Sequence, residues 1–126
     1  MKTSKYHFKF ENLTVYQKAI DFGEVVHHLV KKFPKDERFE LSSQFKRAED
    51  SIALNIAEGS SGTDTQFHDY LGIAWHSAEE CIACSTKASL RKYINTEDDE
   101  NIRQRVTELS KMITTLRIKT SERIKK

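Results

Sequence analysis

Two cysteines, five histidines and a polar ladder in the first half of the chain are the residues best suited to chemistry here. Cys81 and Cys84 form a C-x-x-C pair. A zinc site needs a second ligand pair, and the sequence supplies none. A redox dithiol sits at a helix N-terminus after a strand, whereas this pair falls in the middle of a helical pattern. Both cysteines therefore read as small apolar groups on a packed face, and their number implies a reducing compartment without a disulfide framework. Glu24 and His27 form a single E-x-x-H. Di-iron bundles use two such motifs and two further glutamates, and a second motif is absent. His76 and Glu80 lie one turn apart, which supplies two ligands and no site. His27 and His28 point about 100° apart, and His68 reads as a surface residue. No arginine is followed by a histidine four to six residues later, and neither G-x-x-x-x-G-K-[ST] nor G-x-G-x-x-G occurs. The chain reads as non-enzymatic, with no catalytic residue, no cofactor and no metal.

The most informative pattern is Gln44, Arg47, Ser51, Asn55 and Glu58, which recur at spacings of three and four. They form a polar stripe beside an apolar one. A solvent-facing helix usually carries Lys and Glu, because Ser and Asn are mediocre helix formers. Arg47 and Glu58 are too far apart to pair within one helix. With the turn at 59–63 as pivot, Arg47 lies level with Ser77 and within a turn of Glu80, so an Arg47–Glu80 contact is expected. The stripe reads either as a structural polar network or as a ligand or nucleic-acid surface.

Helices must position these groups. The chain has 126 residues, with one proline and four glycines, too few punctuators for an all-β fold. Charged residues make up 32% and hydrophobic ones 37%, the balance of a globular protein. Four periodic segments cover about 12–32, 38–58, 64–92 and 97–121. Asn12 is the expected N-cap of the first, and Pro34 ends it. Gly59 is expected as the glycine just past the second, and Asp64 or Thr65 as the cap of the third. Thr96 and Asp99 approximate a capping box for the fourth. Short connections between such segments predict one domain, an all-α, up-down-up-down antiparallel four-helix bundle.

Ile102, Val106, Leu109, Ile113, Leu116 and Thr120 form the cleanest core stripe. Helix one carries two adjoining stripes. Leu13, Tyr16, Ile20, Gly23 and Val30 make one, and Val15, Ala19, Phe22, Val26, Leu29 and Phe33 make the other. Such breadth reads either as deep burial or as a face shared between subunits, and self-association is expected. No apolar run approaches the roughly 18 residues of a membrane span. The first ten residues lack a signal-peptide stretch, so a cytoplasmic location is expected.

The formal net charge of +2 hides an uneven distribution. Residues 103–126 hold eight basic and two acidic side chains, a net of +6, which leaves −4 for residues 1–102. Arg103, Arg105, Arg117 and Lys119, with Arg47, are the candidate nucleic-acid contacts. They spread around the last helix, a weak footprint in a monomer and a stronger collective field in a ring. Tyr6, Phe8 and Trp75 read as packing groups. The alternative is a protein–protein interaction scaffold without nucleic-acid binding.

Gln44-Phe45-Lys46-Arg47-Ala48, Ser51-Ile52 and Asn55-Ile56-Ala57-Glu58-Gly59 resemble the second helix of the 23S rRNA intervening-sequence proteins, the S23-like family. The stretch from Phe10 to Ala19 is similar to that family's opening helix, and Phe33-Pro34 with Glu37 and Leu41 to its first loop. Phe67, Leu71, Ile73-Ala74, Ser77 and Glu80 are similar to its third helix. Gln66 stands where the family usually has glutamate, and His76 where it commonly has glycine. The resemblance spans roughly residues 8–118. It implies a four-helix bundle. It also implies kinship with the accessory variability protein of diversity-generating retroelements, a pentamer that binds nucleic acid and a reverse transcriptase. The implied partners are therefore a homopentamer, RNA or DNA, and a nucleic-acid-processing protein such as a reverse transcriptase. Many other members have no established activity.

Overall fold

Side-chain caps and apolar spacing set the helices of the computed structural model, which describes residues 4–126. The four helices are α1 (Thr14–Leu29), α2 (Leu41–Ser60), α3 (Asp64–Leu90) and α4 (Thr96–Lys125). Three short 3-10 turns, Lys9–Asn12, Val30–Lys32 and Lys35–Glu37, surround α1 and lead into α2. No strand occurs among the described residues. Each helix packs on the next, and α1 also packs on α4, which closes an antiparallel four-helix bundle. Fully buried Phe22, Phe45, Ile52, Ile56, Leu71, Ile102, Leu109 and Ile113 fill its centre. No helix is long and apolar enough to cross a membrane.

The caps differ from expectation by about one residue. Asn12 does not cap α1. It ends the 3-10 turn and accepts from His7 Nε2 at 2.8 Å, and Leu13 holds the cap position without a side-chain bond. Thr63, not Asp64 or Thr65, caps α3: its Oγ1 accepts from Gln66 N at 3.1 Å while Gln66 Oε1 accepts from Thr63 N at 2.8 Å. Asn95 and Asp98, not Thr96 and Asp99, make the corresponding box for α4. In both cases the side chain one position earlier can adopt the extended backbone a cap requires. α4 also continues past residue 121 to Lys125.

Gly59 is not a left-handed terminator, since no glycine has a positive φ. It lies buried inside α2, where an added Cβ would stand 2.5 Å from Tyr70 Cβ. It permits close approach of α2 and α3. The left-handed residue is Lys92 (φ 62), just past α3. Tyr93 N bonds Ala88 O at 2.9 Å and Lys92 N bonds Ser89 O at 3.0 Å, the paired closure of a Schellman motif.

α2 begins at Leu41 and not near Arg38 because Glu37 holds the preceding turn. Its buried carboxylate accepts from Tyr93 Oη at 2.6 Å, Arg91 Nη1 at 2.9 Å and Leu41 N at 3.4 Å. The Tyr93 bond, supported by Leu41 and Arg91, outweighs burial and holds the carboxyl below its ordinary range. The same bond pushes the Tyr93 phenol up.

Candidate nucleic-acid interface

The core stripe of α4 has a polar flank. Arg103, Thr107, Ser110, Thr114, Arg117 and Ser121 follow one another at spacings of three and four, so they share one face of the helix. The α3 residues opposite, His68, Gly72, Trp75, Glu79, Ile82 and Thr86, keep the same rhythm. Antiparallel packing lays the two ladders side by side. Arg103 Nη2 donates to Thr86 Oγ1 at 2.7 Å at one end, and His68 Nδ1 lies 3.1 Å from Thr120 Oγ1 at the other. Between these ends runs a groove. One hollow of about 730 Å³ is lined by Glu79, Ile82, Arg103, Ser110 and Lys111, and a second of about 580 Å³ by His68, Trp75, His76 and Arg117. Thr114 borders both.

The charges along this groove are unequal. Arg103 Nε is paired with Asp99 at 2.9 Å, and Asp99 also accepts from Ser85 Oγ at 2.7 Å. Among the described residues Arg117 has no carboxylate partner; its Nη2 donates to His68 Nε2 at 3.2 Å. A guanidinium only donates, so Nε2 of His68 must be the unprotonated nitrogen and Nδ1 must carry the hydrogen. Nδ1–H then faces Thr120 Oγ1, which donates to the Arg117 carbonyl at 2.9 Å. The imidazole is thus a neutral brace for a fully charged arginine. The guanidinium packs over Gly72, where an added Cβ would make an ordinary contact, 3.4 Å from Arg117 Cζ. Among the described residues, the buried side-chain polar atoms without a partner are Ser110 Oγ and Arg117 Nε, and both residues line this groove.

The candidate basic residues do not form one surface. Arg103 and Arg117 flank α3. Arg105 borders a different hollow with Lys18, Asp21 and Glu108, bonds Asn101 Oδ1 at 3.3 Å, and is exposed. Lys119 is exposed on α4. Two residues along a helix turn the side chain by about 200°, which separates Arg103 from Arg105 and Arg117 from Lys119. Arg47 stands exposed on α2, away from these residues.

The polar stripe of α2 divides. Ser77 Oγ donates to Ser51 Oγ at 2.8 Å, and Asn55 Nδ2 donates to Ser51 Oγ at 2.9 Å and Ser51 O at 2.7 Å. Glu58 accepts from Tyr70 Oη at 3.3 Å. The Ser51–Ser77 and Glu58–Tyr70 bonds therefore stitch α2 to α3, while Asn55 bonds only within α2. The expected Arg47–Glu80 contact is not formed: both side chains are exposed, neither has an ion-pair partner among the described residues, and Ser51 meets Ser77 instead. Gln44 is half-buried and makes no side-chain hydrogen bond within the described residues.

Cys81 and Cys84 are buried free thiols on the packed face of α3. Burial, with the neighbouring Glu80, pushes the Cys84 thiol up to about 11 and raises Cys81 further, so neither supplies a thiolate near neutrality. Between α1 and α2 lies an acidic hollow of about 540 Å³ lined by Glu24, Glu49, Asp50, Ile20 and Leu54. Val15, Ala19, Phe22 and Val26 of α1 are buried, while Tyr16 and Ile20 of the adjoining stripe are only half-buried.

The groove residues His68, Trp75, Ser110 and Thr114 do not stand out in the sequence. The available signal was the run of hydroxyl side chains at three-and-four spacing between Arg103 and Arg117, immediately beside the core stripe.

No curated protein matches this sequence. A solved structure from Bacteroides thetaiotaomicron VPI-5482, a protein with unknown function from the S23 ribosomal protein family, superposes with a TM-score of 0.77 at 26% identity. The match covers 82% of this chain and 98% of that one. The sequence pattern of the 23S rRNA-intervening sequence proteins matches residues 11–115, which takes in most of the groove but stops short of Arg117 and Lys119. The fold, the near-complete coverage of the structural relative and this pattern agree, and the chain belongs to the 23S rRNA-intervening sequence protein family.

Proposed function

We propose that this protein is a non-enzymatic, oligomeric nucleic-acid-binding accessory protein of the cytoplasm, and that RNA or DNA lies along the α3–α4 groove. The supporting observation is the groove itself. Arg103 and Arg117 stand fourteen residues apart, about 21 Å along α4, with hydroxyls and Lys111 between them. Arginine, lysine and hydroxyl side chains are the usual donors to phosphate oxygens. The half-buried Tyr16 and Ile20 of α1, beside exposed Leu54 of α2, offer apolar area for self-association, for which a homopentamer is the arrangement proposed. A ring would repeat each groove with symmetry and add its field to its neighbours'. A nucleic-acid-processing enzyme such as a reverse transcriptase is the proposed protein partner.

Fluorescence anisotropy with labelled single-stranded RNA and DNA tests this reading. Two to three phosphate contacts per protomer predict a loss of roughly 10-fold in affinity between about 50 and 200 mM salt. Arg117→Glu and Lys111→Glu should weaken binding at every sequence, whereas Arg47→Glu should not. Light scattering should give a mass several times that of one chain, with and without RNA. A monomer that binds neither RNA nor DNA at low salt refutes the proposal.

One observation favours a second reading, a protein–protein scaffold. Phe8 and Leu54 are exposed around an apolar hollow of about 840 Å³ over the end of α2. On that reading, Leu54→Glu abolishes partner capture and salt leaves it unchanged.

A further inference from the structure

The Arg117 end of the α3–α4 groove differs from the other hollows in its charge. Glu79 lines the adjoining hollow, Glu58 the one over the end of α2, Glu24, Glu49 and Asp50 the one between α1 and α2, and Asp21 and Glu108 the one beside Arg105. The hollow at Arg117 has no carboxylate in its lining. Its lining instead joins a guanidinium, two imidazoles and the single tryptophan of the chain. Trp75 packs one side against the core and borders the hollow, with the exposed His76 ring edge-on at 5.2 Å. Arg117 is held in place: it packs over Gly72, His68 braces it, and one of its five N–H donors is committed. An unopposed guanidinium beside a half-buried indole matches the two chemistries of one nucleotide, an anionic phosphate and a flat π-face.

Resting on the reading that this groove takes nucleic acid, we infer that the hollow is a nucleotide subsite. It takes one nucleoside 5′-phosphate unit, with phosphate on Arg117 and His76 and base against Trp75. Such a unit can be a free mononucleotide or part of a single strand. A duplex is disfavoured, because its base faces are already stacked on one another and cannot reach an aromatic platform. Strand selectivity at this groove thus comes from Trp75, and local affinity for phosphate from Arg117.

Trp75 reports on its own site, because no other tryptophan contributes emission. The full chain is titrated with adenosine 5′-monophosphate, with inorganic phosphate, and with a labelled oligouridylate read by both anisotropy and tryptophan emission. The mononucleotide and the oligonucleotide should quench Trp75, and inorganic phosphate should compete without quenching. Arg117→Gln should weaken both nucleotide ligands roughly 10-fold while the far-ultraviolet dichroism is unchanged. Trp75→Ala should weaken the oligonucleotide by roughly 5- to 150-fold. If that variant does not fold, quenching in the Arg117→Gln protein and the preference for single strand over duplex still decide the matter. Oligonucleotide binding with unchanged Trp75 emission and no effect of Arg117→Gln overturns the subsite and leaves the nucleic-acid reading standing. Quenching by the mononucleotide that Arg117→Gln abolishes, with no binding of any oligonucleotide, upholds the subsite and overturns the wider reading. Absence of both overturns both.

Discussion

Glu49 should make the bundle less stable as pH rises through neutrality. Only 9% of this residue is exposed. Its Oε2 occupies space left by the missing side chain of Gly23 on α1. Burial, then the adjacent Asp50, then the charge of Glu24 all oppose ionisation and push the carboxyl from an ordinary value of 4.5 up to about 8. The folded protein therefore holds a proton that the unfolded chain has released, and between pH 4.5 and 8 stability falls as pH rises. At 1.36 kcal/mol per pH unit the displacement sets a ceiling of about 5 kcal/mol. The hollow is open on one side, and solvent screening reduces the expected effect to about 1–2 kcal/mol. Glu49→Gln keeps the shape and removes the charge. It should match the native protein at pH 5 and exceed it by about 1–2 kcal/mol at pH 8, a shift of roughly 0.5–1 M in the urea midpoint. Urea unfolding followed by circular dichroism at both pH values measures this. The window is separable, because Glu37 acts below 4.5 and the thiols and Tyr93 act from about 9 upward. Equal pH dependence in the two proteins refutes the argument.

Three further outcomes follow from the same geometry. Gly23→Ala should drive the Glu49 carboxyl out into solvent, gain about 1 kcal/mol of helix propensity, and flatten the pH 5–8 dependence in urea unfolding as Glu49→Gln does. Gly59→Ala should cost about 1–3 kcal/mol of overpacking against Tyr70 and Phe67, partly offset by propensity, and lower the thermal midpoint by several degrees. Glu37 has its folded value depressed, so its contribution is present above pH 4.5 and is lost as pH falls; Glu37→Gln should remove that limb from an acid-unfolding curve.

The architecture was legible because helical periodicity is written locally. Ile102, Val106, Leu109 and Ile113 declare a core face without reference to any other part of the chain. What was not legible depends on distant partners. The late start of α2 rests on Glu37 meeting Arg91 and Tyr93, 54 and 56 residues away. Gly59 has the local look of a terminator, and only the approach of Tyr70 shows its packing role. Level in the hairpin put Arg47 beside Ser77 and Glu80, whereas Ser51 meets Ser77 instead and the long exposed side chains of Arg47 and Glu80 part. Thr107, Ser110 and Thr114 line a groove only because Glu79 and Trp75 lie across from them.

Charge counting alone does not rank the basic residues. The +6 of residues 103–126 is partly discharged within the fold. Arg123 pairs with Asp64 at 2.9 Å and Arg103 with Asp99 at 2.9 Å. Such half-exposed pairs add about 0–1 kcal/mol of stability each, yet each cancels the local field that a polyanion would sense. Arg117 escapes this cancellation because its brace is a neutral imidazole. A carboxylate in place of His68 would hold the same guanidinium more firmly and remove its attraction for phosphate. The pairing of Arg117 with His68 therefore fixes the side chain without spending its charge, which makes this arginine a stronger anion contact than the carboxylate-paired Arg103 and Arg123.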